Sequence, residues 1–86
     1  MTDNKTILIT GANSGVGYAM CKFFTHHGYN VIGVSKRTNN LQKLALPALC
    51  YYKLDIRRKD DIINVVNRIT EIHTIDVLIN SAAVFE

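Results

Sequence analysis

The stretch Thr6-Ile7-Leu8-Ile9-Thr10-Gly11-Ala12-Asn13-Ser14-Gly15-Val16-Gly17 decides how the chain is read. A short run rich in β-branched residues ends at Gly11, as a buried strand does. From there the apolar residues Val16, Met20, Phe23 and Phe24 recur at i, i+4, i+7 and i+8, one face of a helix that Gly28 closes. Three glycines spaced Gly-x-x-x-Gly-x-Gly therefore join a strand to the helix after it. Gly11 permits the tight turn, Gly15 lets backbone approach a bound pyrophosphate, and Gly17 lets helix and sheet pack closely. The first amides of the helix lack intrahelical acceptors and carry positive partial charge, which suits an anion. Asn13 and Ser14 can add side-chain hydrogen bonds, and with Val16 they complete the expected pyrophosphate loop.

Outward from this loop, strand and helix alternate. Asn30 to Val34 reads as a second strand. A short helix from about Thr38 to Ala45 follows, with Leu41 and Leu44 turned inward and Pro47 as its stop. Leu49 to Leu54 reads as a third strand. Ile62, Val65, Val66, Ile69 and Ile72 mark a second long amphipathic helix, with Asp60 and Asp61 placed near its positive end. Ile75 to Ile79 is a fourth strand, so apolar that it is expected inside a sheet rather than at an edge. The order β-α-β-α-β-α-β predicts an α/β fold, a doubly wound parallel sheet with right-handed crossovers and helices on both faces; read as a Rossmann-like dinucleotide-binding fold, its expected strand order is 3-2-1-4. Ligands of such sheets bind beyond the carboxyl ends of the strands.

The chain has 86 residues, enough for one small domain at most, and 48% of them are apolar, too many for a disordered tail. No run approaches the ~20 apolar residues of a membrane span, and the N-terminus lacks the long apolar stretch of a signal peptide. Cys21 and Cys50 make neither a disulfide framework nor a zinc-site spacing, and read as buried thiols in a reducing, cytoplasmic setting. Charge is unevenly spread. Residues 1–54 hold six basic side chains and one acidic, a net +5; residues 55–86 hold four basic and six acidic, a net −2. No carboxylate stands between Asp3 and Asp55, which favours an anionic partner for the first half. Basic residues do not form a stripe interleaved with aromatics, so nucleic acid is not expected, and a phosphate-bearing small molecule stays open.

Several motifs in order resemble the short-chain dehydrogenase/reductase family. Thr10-Gly11-Ala12-Asn13-Ser14-Gly15-Val16-Gly17 is similar to its Thr-Gly-x-x-x-Gly-[Ile/Val]-Gly loop. Asp55-Ile56 resembles its Asp-Val pair at the adenine. Asp76-Val77-Leu78-Ile79-Asn80-Ser81-Ala82-Ala83 resembles its fourth-strand segment, which normally ends Asn-Asn-Ala-Gly; Ser81 and Ala83 depart from that pattern. The resemblance implies that Asp55 hydrogen-bonds the adenine amino group with Ile56 packed beside it, and that Asn80 and Ala82 line the ribose side. It also implies hydride transfer between NAD(P)H and a carbonyl or alcohol. The serine on a fifth strand and the Tyr-x-x-x-Lys pair that such catalysis needs have no counterpart before Glu86, so no catalytic residue is expected here.

The cofactor is expected to be NADP, with NAD less favoured. NAD sites usually place a carboxylate at the end of the second strand for the ribose 2′-OH, whereas a 2′-phosphate wants a cation there. Ser35-Lys36-Arg37 occupies that point, with Arg37 able to grip a phosphate bidentately and Lys36 adding a point charge. Tyr18 and Lys22 match Tyr-x-x-x-Lys only literally, because they lie behind the phosphate loop. His26, His27 and His73 lack a third ligand at metal-binding spacing. Residues 1–86 are thus expected to form the cofactor-binding half of an oxidoreductase, ending after the fourth strand, with self-association or a missing C-terminal half to cover that strand. The other readings are a non-catalytic nucleotide-binding or partner-completing module, and a truncated piece without activity of its own.

Overall fold

The computed structural model describes residues 4–81. Strand β1 (Thr6–Thr10) leads into helix α1 (Gly15–His26), then β2 (Asn30–Ser35), α2 (Asn39–Leu44), β3 (Leu49–Lys53), α3 (Lys59–Ile72) and β4 (Val77–Asn80). The four strands form one parallel sheet in the order β3-β2-β1-β4, the order expected of a Rossmann-like dinucleotide-binding fold. Ile7 of β1 pairs in register with Val31 of β2 and Val77 of β4, and Thr10 with Val34 and Asn80. Beyond β2 the register sets Val31 against Leu49.

Strand side chains alternate between faces, and two cores follow. On one face Ile7, Ile9 and Val31 pack with Ala12, Cys21 of α1, Leu41 of α2 and Leu49. On the other, Ile32 and Val34 pack with Leu54 and with Ile69 of α3. Helices α1 and α2 thus cover one face and α3 the other. The chain reverses direction across the sheet after β3, and α3 carries it over to β4 on the far side of β1. That reversal opens a crevice at the carboxyl rim, where three crossovers begin.

Two expectations need correction. The face of α1 that turns inward is not Val16-Met20-Phe23-Phe24. Gly17 and Cys21 are the buried residues, with Tyr18, Met20 and Phe24 partly covered, while Val16 is 71% exposed and Phe23 is exposed and stacked on His27. The cause is steric: a Cβ at Gly17 would overlap the carbonyl oxygen of Gly11 and stand 2.6 Å from Ser81 Oγ, so the side-chain-free position must face the sheet. The second concerns β4. It pairs with β1 alone and lies at an edge of the described sheet, leaving Leu78 64% exposed. Its apolar composition matches a strand flanked and covered on all sides, but among the described residues no further strand or helix does this.

The short helix α2 starts at Asn39, one residue past the anticipated Thr38, and ends where Ala45 turns left-handed, two residues ahead of Pro47. On α3 only Ile69 is buried; Ile62 and Val65 are half-buried, and Ile63, Val66 and Ile72 are exposed. Among the described residues no helix is long and apolar enough to cross a membrane.

Candidate functional site

A cavity of about 640 Å³ opens at the carboxyl rim, walled by the ends of β1, β2 and β3 and the start of α1. Gly11, Ser14, Gly15, Val16 and Gly17 form one side; Ser35 and Lys36 form the second; Asp55, Ile56 and Arg57 form the third, and Ser81 closes it. Residues up to 70 positions apart in the chain meet here because every parallel strand delivers its carboxyl end to the same rim.

The glycine loop supplies the anion-facing side. Gly11 and Gly15 have φ of 61° and 57°, the left-handed region that side chains disfavour. Among the described residues nothing lies within 4 Å of where a Gly15 Cβ would stand, so on their account the N-terminus of α1 faces open space. Among the described residues no side chain caps this helix, and its first turn holds no acidic residue. Its leading amides and its positive partial charge are available to a ligand. These features fit a pyrophosphate laid across the loop.

Asn13 is not part of that surface. Its side chain is buried and spent on α2: Oδ1 accepts the amides of Asn40 at 2.9 Å and Leu41 at 3.1 Å, and Nδ2 donates to Asn39 Oδ1 at 3.0 Å. Asn40 Nδ2 in turn donates to the Asn13 carbonyl at 2.8 Å. Asn13 therefore caps a helix that its own neighbour Thr38 leaves uncapped. The glycine loop and the start of α2 are tied together through it.

At the second strand end, Lys36 lines the cavity and Arg37 is exposed but outside the lining. At the third, Asp55 carries a bidentate partner. Arg57 Nε donates to Oδ1 at 3.0 Å and Nη2 to Oδ2 at 3.1 Å, while the Arg57 amide donates to Oδ1 at 3.0 Å. These hydrogen bonds, with smaller help from the charges of Arg57 and Lys36, hold the Asp55 carboxyl down at about 2. The Asp55 amide is satisfied by Asp61 Oδ2 at 3.0 Å. Sequence reasoning missed Arg57. Its position two residues after Asp55 was the available signal, since a flexible arginine at that spacing can fold back on the carboxylate.

The β1 and β4 ends are joined by hydroxyls. Thr10 Oγ1 donates to Asn80 Oδ1 at 2.6 Å and accepts from the Ser81 amide at 3.0 Å, and Ser81 Oγ donates to the Thr10 carbonyl. Asn80 thus lies beside the site with its carboxamide oxygen engaged, and Ser81 takes the place in the lining. Ala82 lies outside the described residues. Tyr18 and Lys22 pair with each other on α1, the ammonium 5.8 Å from the ring centroid, and neither lines the cavity. Burial pushes the Cys21 thiol up to about 11, as expected of a buried thiol, but Cys50 is exposed and corrects the same expectation, because it lies on β3 at an edge of the described sheet. Among the described residues no group of His, Cys, Asp and Glu is arranged to hold a metal.

A family model for short chain dehydrogenases matches residues 5–86. The chain is 34% identical to short-chain dehydrogenase reductase 5 of Arabidopsis thaliana, over 98% of this chain and 34% of that protein. It is 35% identical to a probable NADP-dependent dehydrogenase of Haemophilus influenzae, over 90% of this chain and 32% of that one. It also superposes on a 4-hydroxyisoleucine dehydrogenase complexed with NADH with a TM-score of 0.86 and 34% identity, covering 94% of this chain and 35% of that structure. The chain spans about a third of the length of the curated relatives it matches. It belongs to the short-chain dehydrogenase family.

Proposed function

We propose, starting from that membership, that this chain is the dinucleotide-binding portion of an oxidoreductase and that it favours NADPH over NADH. The bound nicotinamide would supply hydride to a carbonyl or accept it from an alcohol. The chain's own residues bind and orient the rest of the cofactor. Gly11, Ser14, Gly15, Val16 and Gly17 hold the pyrophosphate through backbone amides and the Ser14 hydroxyl. Asn13 serves this loop as a positioning residue. Asp55 accepts from the adenine amino group, with Ile56 against the ring, and Asn80 and Ala82 border the ribose. Ser35, Lys36 and Arg37 surround a 2′-phosphate.

One observation carries the reading: the uncapped start of α1, with no carboxylate in its first turn, opens onto the cavity beside Lys36. The cofactor choice rests on the end of β2, where a cation stands and no carboxylate does. The neighbours do not share one cofactor: the Haemophilus relative is described as NADP-dependent, whereas the 4-hydroxyisoleucine dehydrogenase was solved with NADH. A cytoplasmic location accords with the two free thiols. The exposed apolar edge of β4 supports self-association or pairing with a C-terminal half.

Titration of the purified 86-residue chain with NADPH and NADH, read by calorimetry with sedimentation on the same sample, tests the reading. NADPH is expected to bind about tenfold more tightly, the equivalent of ~1.4 kcal/mol, and Arg37→Asp is expected to weaken NADPH much more than NADH. Equal affinities would remove the NADPH preference, and failure to bind either nucleotide would remove the function.

A further inference from the structure

The third strand end presents a puzzle that the function above does not resolve. A carboxylate beside a 2′-phosphate repels it and competes for the nearby cation. Asp55 and Lys36 line the same cavity, and Lys36 is close enough to help hold the Asp55 carboxyl ionised. Left alone, Lys36 would be drawn to Asp55 and not to a phosphate. Arg57 alters this balance. Its guanidinium pairs with the Asp55 carboxylate, the Asp55 side chain being 19% exposed and that of Arg57 60%.

We propose that Arg57 is a specificity-determining residue: it neutralises Asp55, frees Lys36 for the 2′-phosphate of the nucleotide, and offers that phosphate its own remaining donors. The inference rests on the dinucleotide reading. Two of the five guanidinium N–H groups are used on Asp55, and the other three have no partner among the described residues. The hydrogen bonds are also unevenly shared. Oδ1 accepts two and Oδ2 accepts one, so Oδ2 keeps a lone pair for the adenine amino group while Arg57 holds the carboxylate in one orientation. Arg57 and Lys36 thus come from two different crossovers and line one cavity together with Asp55, and the three side chains sum to a single positive charge and not zero.

The test compares Arg57→Gln, Arg57→Lys and the unsubstituted chain with four probes: NADPH, NADH, 2′,5′-ADP and 5′-AMP. Losing a charge-assisted contact to phosphate predicts a loss of about tenfold or more in NADPH and 2′,5′-ADP affinity for Arg57→Gln. NADH and 5′-AMP are expected to change by less than about threefold. Arg57→Lys restores part of the preference, because it keeps the charge and loses the fork. A merely structural role would move all four affinities together. If the unsubstituted chain binds the nucleotides and Arg57→Gln leaves the NADPH-to-NADH ratio unchanged, the role of Arg57 is overturned and the dinucleotide reading stands. If the unsubstituted chain binds none of the four, that reading is overturned and this one with it.

Discussion

Helices α1 and α3 start at the same rim of the same sheet, yet their N-termini are built for opposite purposes. The first turn of α3 contains Asp60 and Asp61, so the chain supplies the negative charge that a helix start attracts. Asp61 also accepts the amide of Asp55, turning part of that charge to structure. The first turn of α1 contains no acidic residue and no side-chain cap, and two of its first three residues are glycine. A self-neutralised terminus stabilises the fold; an open one leaves the same partial charge for something that arrives later. Helix α2 stands between these cases, because its amides are capped by Asn13 from the glycine loop. The fold thus provides three anion-attracting ends and leaves only α1 of them uncapped and without a first-turn carboxylate among the described residues.

The contrast can be broken by giving α1 what α3 has. Ser14→Asp places a carboxylate at the start of α1, where the macrodipole favours it by about 0.3–1 kcal/mol. Chemical denaturation is expected to show unchanged or slightly higher stability. Affinity for NADPH and NADH alike is expected to fall about a hundredfold by charge repulsion at short range. Loss of stability with binding retained would mean that the open terminus is not the anion site. A smaller effect sharpens the role of α2. Asn13→Ala removes the acceptor shared by the Asn40 and Leu41 amides, and the urea midpoint is expected to drop by the equivalent of about 1–2 kcal/mol. No change in midpoint would show that water replaces the cap without cost.

The smallest effect concerns the charged side of the comparison. The Asp55 carboxyl is held at about 2, below its ordinary 3.8, by the Arg57 hydrogen bonds. A group depressed in the folded state contributes stability that is fully present above its unfolded value and is lost as pH falls through the folded one. The contribution of Asp55 should therefore persist at neutral pH and fade between about pH 4 and pH 2. Carbon-detected NMR of the Asp55 carboxyl is expected to titrate near 2 in the unsubstituted chain and to move up toward 3.8 in Arg57→Gln. A titration that stays at the same value would mean that Arg57 does not hold the carboxylate in solution.

Much of the fold was legible because the relevant signals are local. The run from Thr6 to Gly17 carries its strand, turn and helix start within twelve positions, and the alternation that follows calls for a parallel sheet, whose order matches that expected of a dinucleotide-binding fold. The errors are of one kind. The period of α1 was read correctly, but its rotation was not, since the spacing of Val16, Met20, Phe23 and Phe24 cannot register that Gly17 must abut the Gly11 carbonyl. The composition of β4 was read correctly as that of a covered strand, but what covers a strand is not written in the strand. Asn13 was placed in the right loop and pointed the wrong way, because its partners Asn40 and Leu41 lie 27 and 28 residues on.

From the order of its residues alone, this chain settles its elements, their parallel pairing and the glycine turn, because those depend on backbone freedom and on periodicities of a few residues. The three-dimensional packing decides which side chains reach the crevice. It turns Asn13 inward, brings Ser81 into the wall, and places Asp55 and Arg57 in the same cavity wall as Lys36. Those outcomes depend on distances between strand ends far apart in the chain. Such distances exist only once the sheet has formed and delivered every carboxyl end to one rim.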